Sequence, residues 1–230
     1  MIKNMLRGST MLLLALAPLT VPTVAVATPM AGVPVVSGAR VAAVVLPLAD
    51  AVDQLTIVDE SRTGYDHTKF KHWNSGLDPA DGCNTRAEAL LDEAIEAPVV
   101  AAGCKLSGGL WHSYYDAAEV TDPAKLDIDH LVPLAESWDS GSSAWDAKRR
   151  EAYANDQDVA ASLVPVTARA NRAKADKDPA EWMPPLPDAH CRYISEWTAT
   201  KLRWGLSSDQ AEADALKVCE TTVVHYTPAP

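Results

Sequence analysis

The 230-residue sequence has no Cys-x-x-Cys pair among its four cysteines, which argues against a zinc knuckle or a redox dithiol. It has no surplus of positive charge either. The formal net charge is -11, so the strong phosphate neutralisation behind tight, non-specific DNA binding is not to be expected. It also has no apolar run long enough for a clear membrane span. The best candidate, Met11 to Val26, is broken by Pro18 and Pro22 and falls short of the roughly twenty residues a spanning helix needs.

What that run does resemble is an export signal. Lys3 and Arg7 precede it, and Ala25-Val26-Ala27 supplies small residues where a signal peptidase cleaves, so residues 1–27 read as a removed leader and the chain as secreted. No membrane association is expected after cleavage. Loss of Lys3 and Arg7 would make the mature chain more acidic by two charges. All four cysteines lie beyond the leader, and two disulfides in an oxidising compartment are the natural reading.

The hydrophobic content, 47%, is ordinary for a globular protein, and the length fits one domain with a tail. Residues 28–58 are rich in Ala, Val and Pro and read as a linker or loosely packed segment, with a docked strand around Val41 to Val45 as the alternative. Residues 59–222 form the expected domain and 223–230 a frayed tail.

From Tyr65 to Trp73 the chain mixes aromatic and basic residues, including His67, Lys69, Phe70, Lys71 and His72. It reads first as an aromatic anchor for the core and second as a stacking surface for nucleic acid. Thr85 and Glu88 stand at capping-box spacing for a helix closed before Pro98. A strand follows around Trp111, in which His112 is more simply a structural side chain than a catalytic one.

The stretch Leu126-Asp127-Ile128-Asp129-His130-Leu131-Val132-Pro133 is apolar and β-branched enough for a strand, yet it contains two carboxylates and an imidazole. A second strand, Ser162 to Val166, and a helix capped by Thr167 come later. Asn171, Lys174 and Asp178 fall on one face of that helix. Between the two strands, Ser142 or Ser143 can cap a helix reaching Ala154, whose Lys148-Arg149-Arg150 run is either a phosphate contact or a solvated face. Toward the C-terminus, His190 to Trp204 has helical periodicity ending at Gly205, and Ser207 with Gln210 marks a second helix. Cys191 and Cys219 lie equally far from Gly205, so an antiparallel helix pair would join them and leave Cys83 to Cys104.

Asp129-His130-Leu131-Val132-Pro133-Leu134 followed by Asn171-Arg172-Ala173-Lys174 resembles the Asp-His…Asn-Arg-x-Lys form of the HNH endonucleases. Gly64-Tyr65-Asp66, Gly82-Cys83-Asn84-Thr85-Arg86, the segment 135–141 and Asp178-Pro179-Ala180-Glu181-Trp182-Met183-Pro184-Pro185 extend the likeness to secreted members of that family. The resemblance implies an α+β protein with a ββα-metal core, surrounding helices and, from the cysteine spacing, a C-terminal disulfide-linked helical hairpin. It also implies hydrolysis of phosphodiester bonds in DNA or RNA.

In that chemistry His130 is the general base, while Asp129 and Asn171 hold a divalent ion, Mg²⁺ first and Mn²⁺ or another divalent ion second. Asp127, Lys174, Asp178, His112 and Arg86 are further site candidates; Arg149, Arg172 and Lys174 are candidate phosphate contacts. The middle Asn of the HNH name has two placements, Asn155 at a helix end or the position of Ser162. Nucleic acid is the expected partner, and no protein partner is predicted. Two rival readings remain: a metal-dependent phosphoesterase with a small substrate, and an inactive nuclease scaffold that only binds. One geometric tension is visible already, because neighbours on a regular strand point to opposite faces, so Asp129 and His130 cannot both converge from an ideal one.

Overall fold

The computed structural model describes residues 42–219 and 221–230. The chain divides into units 1–39 and 40–230; the first, which contains the expected leader, lies outside the described residues. The second unit is α+β. Its elements are β1 (Val44–Pro47), α1 (Leu48–Val52), α2 (Thr85–Asp92), β2 (Val99–Ala101), β3 (Lys105–Ser107), β4 (Trp111–Ser113), β5 (Ala118–Val120), β6 (Leu126–His130), α3 (Leu134–Asp139), α4 (Ala147–Ala154), β7 (Leu163–Thr167), α5 (Ala168–Lys174), α6 (His190–Trp204), α7 (Gln210–Leu216) and β8 (Val223–Tyr226).

The strands form four separate antiparallel pairs, β1 with β8, β2 with β3, β4 with β5 and β6 with β7. The pair that organises the molecule is β6–β7, because its two faces look into different cores. Val164 and Val166 of β7 enter the larger cluster, around Phe70, Tyr115, Leu131, Tyr193, Trp197 and Trp204. Leu126, Ile128 and Leu163 enter the smaller one, with Leu90, Trp111 and Val120. The register pairs Asp127 with Val166, Asp129 with Val164 and His130 with Leu163. Cross-strand partners share a face, so the two-residue period alone sends both aspartates to one side and His130 to the other. Pro165 costs no ladder bond that matters, since every strand of a two-stranded sheet is an edge.

Helix α5 follows β7 directly and starts where Thr167 accepts a hydrogen bond from Ala170 N–H. Gly205, at φ 67°, ends α6 in the left-handed conformation that glycine adopts without strain. Cys191 bonds Cys219 across the C-terminal helix pair, and Cys83 bonds Cys104. Closing loops of this length stabilises by about 3 kcal/mol each in the chain-entropy account.

Three helix starts differ from the sequence expectation. Asn84 caps α2 in place of Thr85, and Glu88 turns away to accept from Leu77 and Asp78 N–H. Asp146 caps α4, while Ser142–Ala144 makes a 3₁₀ turn. Asp209 caps α7, and Ser208 in turn donates to Glu212. Segment 28–58 contains β1 and α1, and Leu48, Ala51, Val52 and Leu55 are buried in the larger core. Residues 223–226, read as tail, are β8, and they pair with β1. The partner of each segment is the opposite end of the domain, a pairing that no local pattern announces.

Candidate active site

A cavity of about 490 Å³ opens where the end of β6 meets α5, and Asp129, His130 and Asn171 all border it. Its other wall is the aromatic segment, through Tyr65, His67, His72 and Trp73, and Arg172 and Asp176 complete the rim. The segment read as a core anchor thus does two things: Phe70 is buried in the larger core while its neighbours face the cavity.

His130 is the last residue of β6, and its Nε2 lies 2.9 Å from the carbonyl oxygen of Ala154. A carbonyl only accepts, so Nε2 must bear the proton of the neutral ring, leaving the Nδ1 lone pair unprotonated. Burial lowers the imidazole pKa to about 4, with the positive ends of His72, Lys174 and His67 adding to the effect and the Ala154 bond opposing it. At neutral pH the ring is a proton acceptor.

The carbonyl that orients His130 belongs to the last residue of α4, and the next residue, Asn155, is the C-cap of that helix. Asn155 fills all its hydrogen-bonding capacity. Its Oδ1 accepts from Asn74 N–H at 3.0 Å and from the Thr85 hydroxyl at 2.9 Å, and its Nδ2 donates to the carbonyls of Lys71 and Glu151. Of the two placements for a middle Asn, this residue has the anchoring geometry. Ser162 instead donates to Asp156.

On the other face of the hairpin, Asp129 is almost fully buried. Lys174, with no exposed surface, stands 2.8 Å from Oδ1 and 2.7 Å from Oδ2, and Tyr115 O–H donates to Oδ2 at 2.6 Å. Lys174 also donates to the His130 carbonyl at 3.0 Å. Desolvation raises the Asp129 pKa and lowers that of Lys174, and the mutual attraction opposes both shifts without cancelling them. The expected tension between neighbouring residues is real: Asp129 and His130 point to opposite sides of β6 and meet only at its end, where both reach the cavity rim.

Asn171 donates from Nδ2 to Asp127 Oδ2 at 3.3 Å. That contact turns its Oδ1 away from the neighbouring carboxylate, so an oxygen ligand is available. Asp129 and Asn171 are the side chains that could hold a hard cation here, one carboxylate and one amide, in keeping with an ion such as Mg²⁺ that retains several waters. Asp129 would have to share its carboxylate between such an ion and Lys174.

Residues 87–217 match the family described as GmrSD restriction endonucleases, C-terminal domain. The chain belongs to that family. The match opens inside α2 and closes just beyond α7, so the GmrSD C-terminal region includes β6, β7, α5 and Asn155 but leaves out the aromatic wall from Tyr65 to Trp73. A chain of Arthroderma benhamiae (strain ATCC MYA-4681 / CBS 112371), described as an uncharacterized secreted protein, is 37% identical over 153 residues, covering 66% of this chain and 72% of that one. No solved structure matches. Among the described residues no helix is long and apolar enough to cross a membrane.

Other residues singled out from the sequence lie elsewhere in this GmrSD-family fold. His112 is exposed on β4, paired in register with Glu119. Arg86 ties α2 to β6 by donating to the Leu126 carbonyl at 2.9 Å. Arg149 donates to the Trp204 carbonyl and lies over the Trp145 ring, and Arg150 is spent on the Ser142, Trp145 and Lys69 carbonyls. Asp178 accepts from Ala180 and Glu181 N–H and closes the turn after α5. Arg172 alone of the basic candidates is exposed on the cavity rim. Tyr115 carries no site signal in the sequence, and Trp73 belongs to a segment that reads first as packing. Their only prior signal was aromatic character.

Proposed function

We propose that this chain is a secreted, metal-dependent endonuclease of the HNH type that hydrolyses phosphodiester bonds in DNA, with RNA as a second substrate. The observation that supports it best is the His130 imidazole, pinned through Nε2 so that Nδ1 is left unprotonated, on a ring that borders the same cavity as Asp129 and Asn171. Membership of a nuclease family agrees with a nucleic-acid substrate. The secreted relative and the two disulfides agree with export.

In this mechanism a water in the cavity gives its proton to His130 Nδ1 as it attacks phosphorus. The neutral ring is ready for that transfer because burial disfavours the imidazolium before the reaction. Asp129 and Asn171 would hold the divalent ion, which when bound offsets charge on the phosphoryl oxygens and on the leaving oxygen. Lys174 keeps Asp129 in place. Arg172, on the rim, draws a neighbouring phosphate to an otherwise acidic molecule, an attraction that salt weakens.

The test is nicking of supercoiled plasmid with Mg²⁺, with and without chelator. Cleavage that chelation stops is the expected result. Cleavage of a small phosphodiester alone would assign a different phosphoesterase, and inactivity across Mg²⁺, Mn²⁺ and other divalent ions would assign a binding scaffold. His130→Ala should lower the rate by about 10²- to 10⁴-fold, the usual contribution of a general base, with unchanged circular dichroism. Wild-type activity in that variant would remove His130 from the reaction.

A further inference from the structure

Trp73 has a backbone conformation that a bulky residue rarely adopts, with φ at 56° in the left-handed region. Such strain persists only where the surroundings over-determine it, and it gathers at functional sites. Here the surroundings are visible. Asn155 fixes both flanks of the tryptophan, accepting from Asn74 N–H and donating to the Lys71 carbonyl. Thr85 N–H donates to the Asn74 carbonyl. The indole is thereby laid over the His130 ring, centroids 5.4 Å apart and planes 28° from parallel.

The hydrogen bond from Nε2 to Ala154 chooses which edge of the imidazole faces the protein, but one bond leaves the ring free to swing about it. A stacked aromatic removes that freedom by fixing the plane. Both constraints come from one bracket, since Asn155 follows Ala154 in the chain and also holds the Trp73 segment. We propose that Trp73 is a positioning residue for His130, its indole fixing the imidazole plane so that Nδ1 stays turned toward the cavity. This rests on the nuclease reading above for its role in turnover, though the clamp itself is independent of it.

The experiment uses the full chain with Trp73→Leu, which keeps apolar volume without a planar ring, and Trp73→Phe, which restores a ring. Trp73→Leu should lower kcat for plasmid nicking by about 10- to 100-fold, the scale of a misplaced reacting group, while KM stays nearly constant. Trp73→Phe should recover most of the loss. Imidazole ¹⁵N spectra at fixed pH, with His130 assigned by its absence in His130→Ala, should show the Nε2–H tautomer in both proteins, but a displaced and exchange-broadened Nδ1 resonance in Trp73→Leu as the ring swings about the retained bond. If Trp73→Leu does not fold, Trp73→Gly removes the ring while relieving the positive φ. Wild-type kcat with an unchanged His130 spectrum in the ring-less variant would overturn the proposal, as would a Phe variant no better than Leu. A wild-type protein that cleaves nothing would overturn the nuclease reading, and the nitrogen spectra would still decide whether the clamp exists.

Discussion

Among the described residues two lysines are sealed, and they are sealed differently. Lys201 on α6 has no exposed surface and lies between Glu136, 2.9 Å away, and Glu212, with the Ser140 hydroxyl and Ser207 carbonyl each at 2.9 Å. Its surroundings over-compensate the cost of burial, and its pKa is raised despite desolvation. Lys174 is equally buried but has a single carboxylate partner, Asp129, and its pKa is lowered because desolvation prevails. The scaffold lysine is buried among carboxylates that are 2% and 0% exposed, whereas the Asp129 partner of the site lysine borders an open cavity. One cluster joins α3, α6 and α7; the other holds Asp129 at the edge of the cavity with a single lysine.

That contrast predicts unequal penalties. Lys201→Met would strand two buried carboxylates, and we expect a loss near the upper end of what breaking a buried pair costs, about 5 kcal/mol, read from urea unfolding with disulfides intact. Lys174→Met strands only Asp129, which retains the Tyr115 hydroxyl and can draw water from the cavity, so about 3 kcal/mol is expected. Equal losses, or the reverse order, would show that cavity access does not soften the second deletion. The activity readouts should invert this order. Lys174→Met disturbs the carboxylate at the site, so chelator-sensitive nicking should fall further than the stability loss explains, while folded Lys201→Met should cleave at close to the wild-type rate.

How far this could be read beforehand follows from the range of each signal. Thr167 as a cap, Gly205 as a stop and the pairing of Cys191 with Cys219 rest on contacts within a helix or a helix pair, and sequence spacing encodes them. Asn171 and Lys174 lie on α5 at the spacing of one helical face, but the helix ends at Lys174, so Asp178, expected on that face, lies in the turn beyond it, and nothing local says that Lys174 would be wholly buried on an aspartate 45 positions earlier. The shifted caps have a common cause. Asn84-Thr85, Ser142 to Asp146 and Ser207 to Asp209 each offer several side chains able to accept a helical N–H, and the choice among them falls to tertiary docking, as when Thr85 is drawn instead to Asn74 and Asn155. Arg149 looked like a phosphate ligand because a basic run on a helix has no address. Its partner, the Trp204 carbonyl, comes from another helix.

The smallest effect concerns the edge of the Lys201 cluster, where Glu60 faces Glu136 and Glu212. Glu60 Oε1 is buried with no hydrogen-bond partner among the described residues, and desolvation, with Glu136 next, raises its pKa from 4.5 to about 9. The sign of the consequence follows from proton counting. Between pH 4.5 and 9 the unfolded chain has lost this proton and the folded chain still holds it, so stability is greatest at the acid end and declines as pH rises across that window. Glu212, also raised, acts in the same direction, whereas Glu136, lowered by Lys201 against its own desolvation, has the opposite sign and acts only below about pH 4.5, outside that window. Glu60→Gln keeps the shape of the protonated acid and removes its titration. The drop in Tm between pH 5 and pH 8 should therefore be smaller in the variant than in the wild type, with the two nearly equal at pH 5. Parallel decline in both proteins would mean that Glu60 ionises freely in the fold, and that Lys201 serves only the two carboxylates it touches.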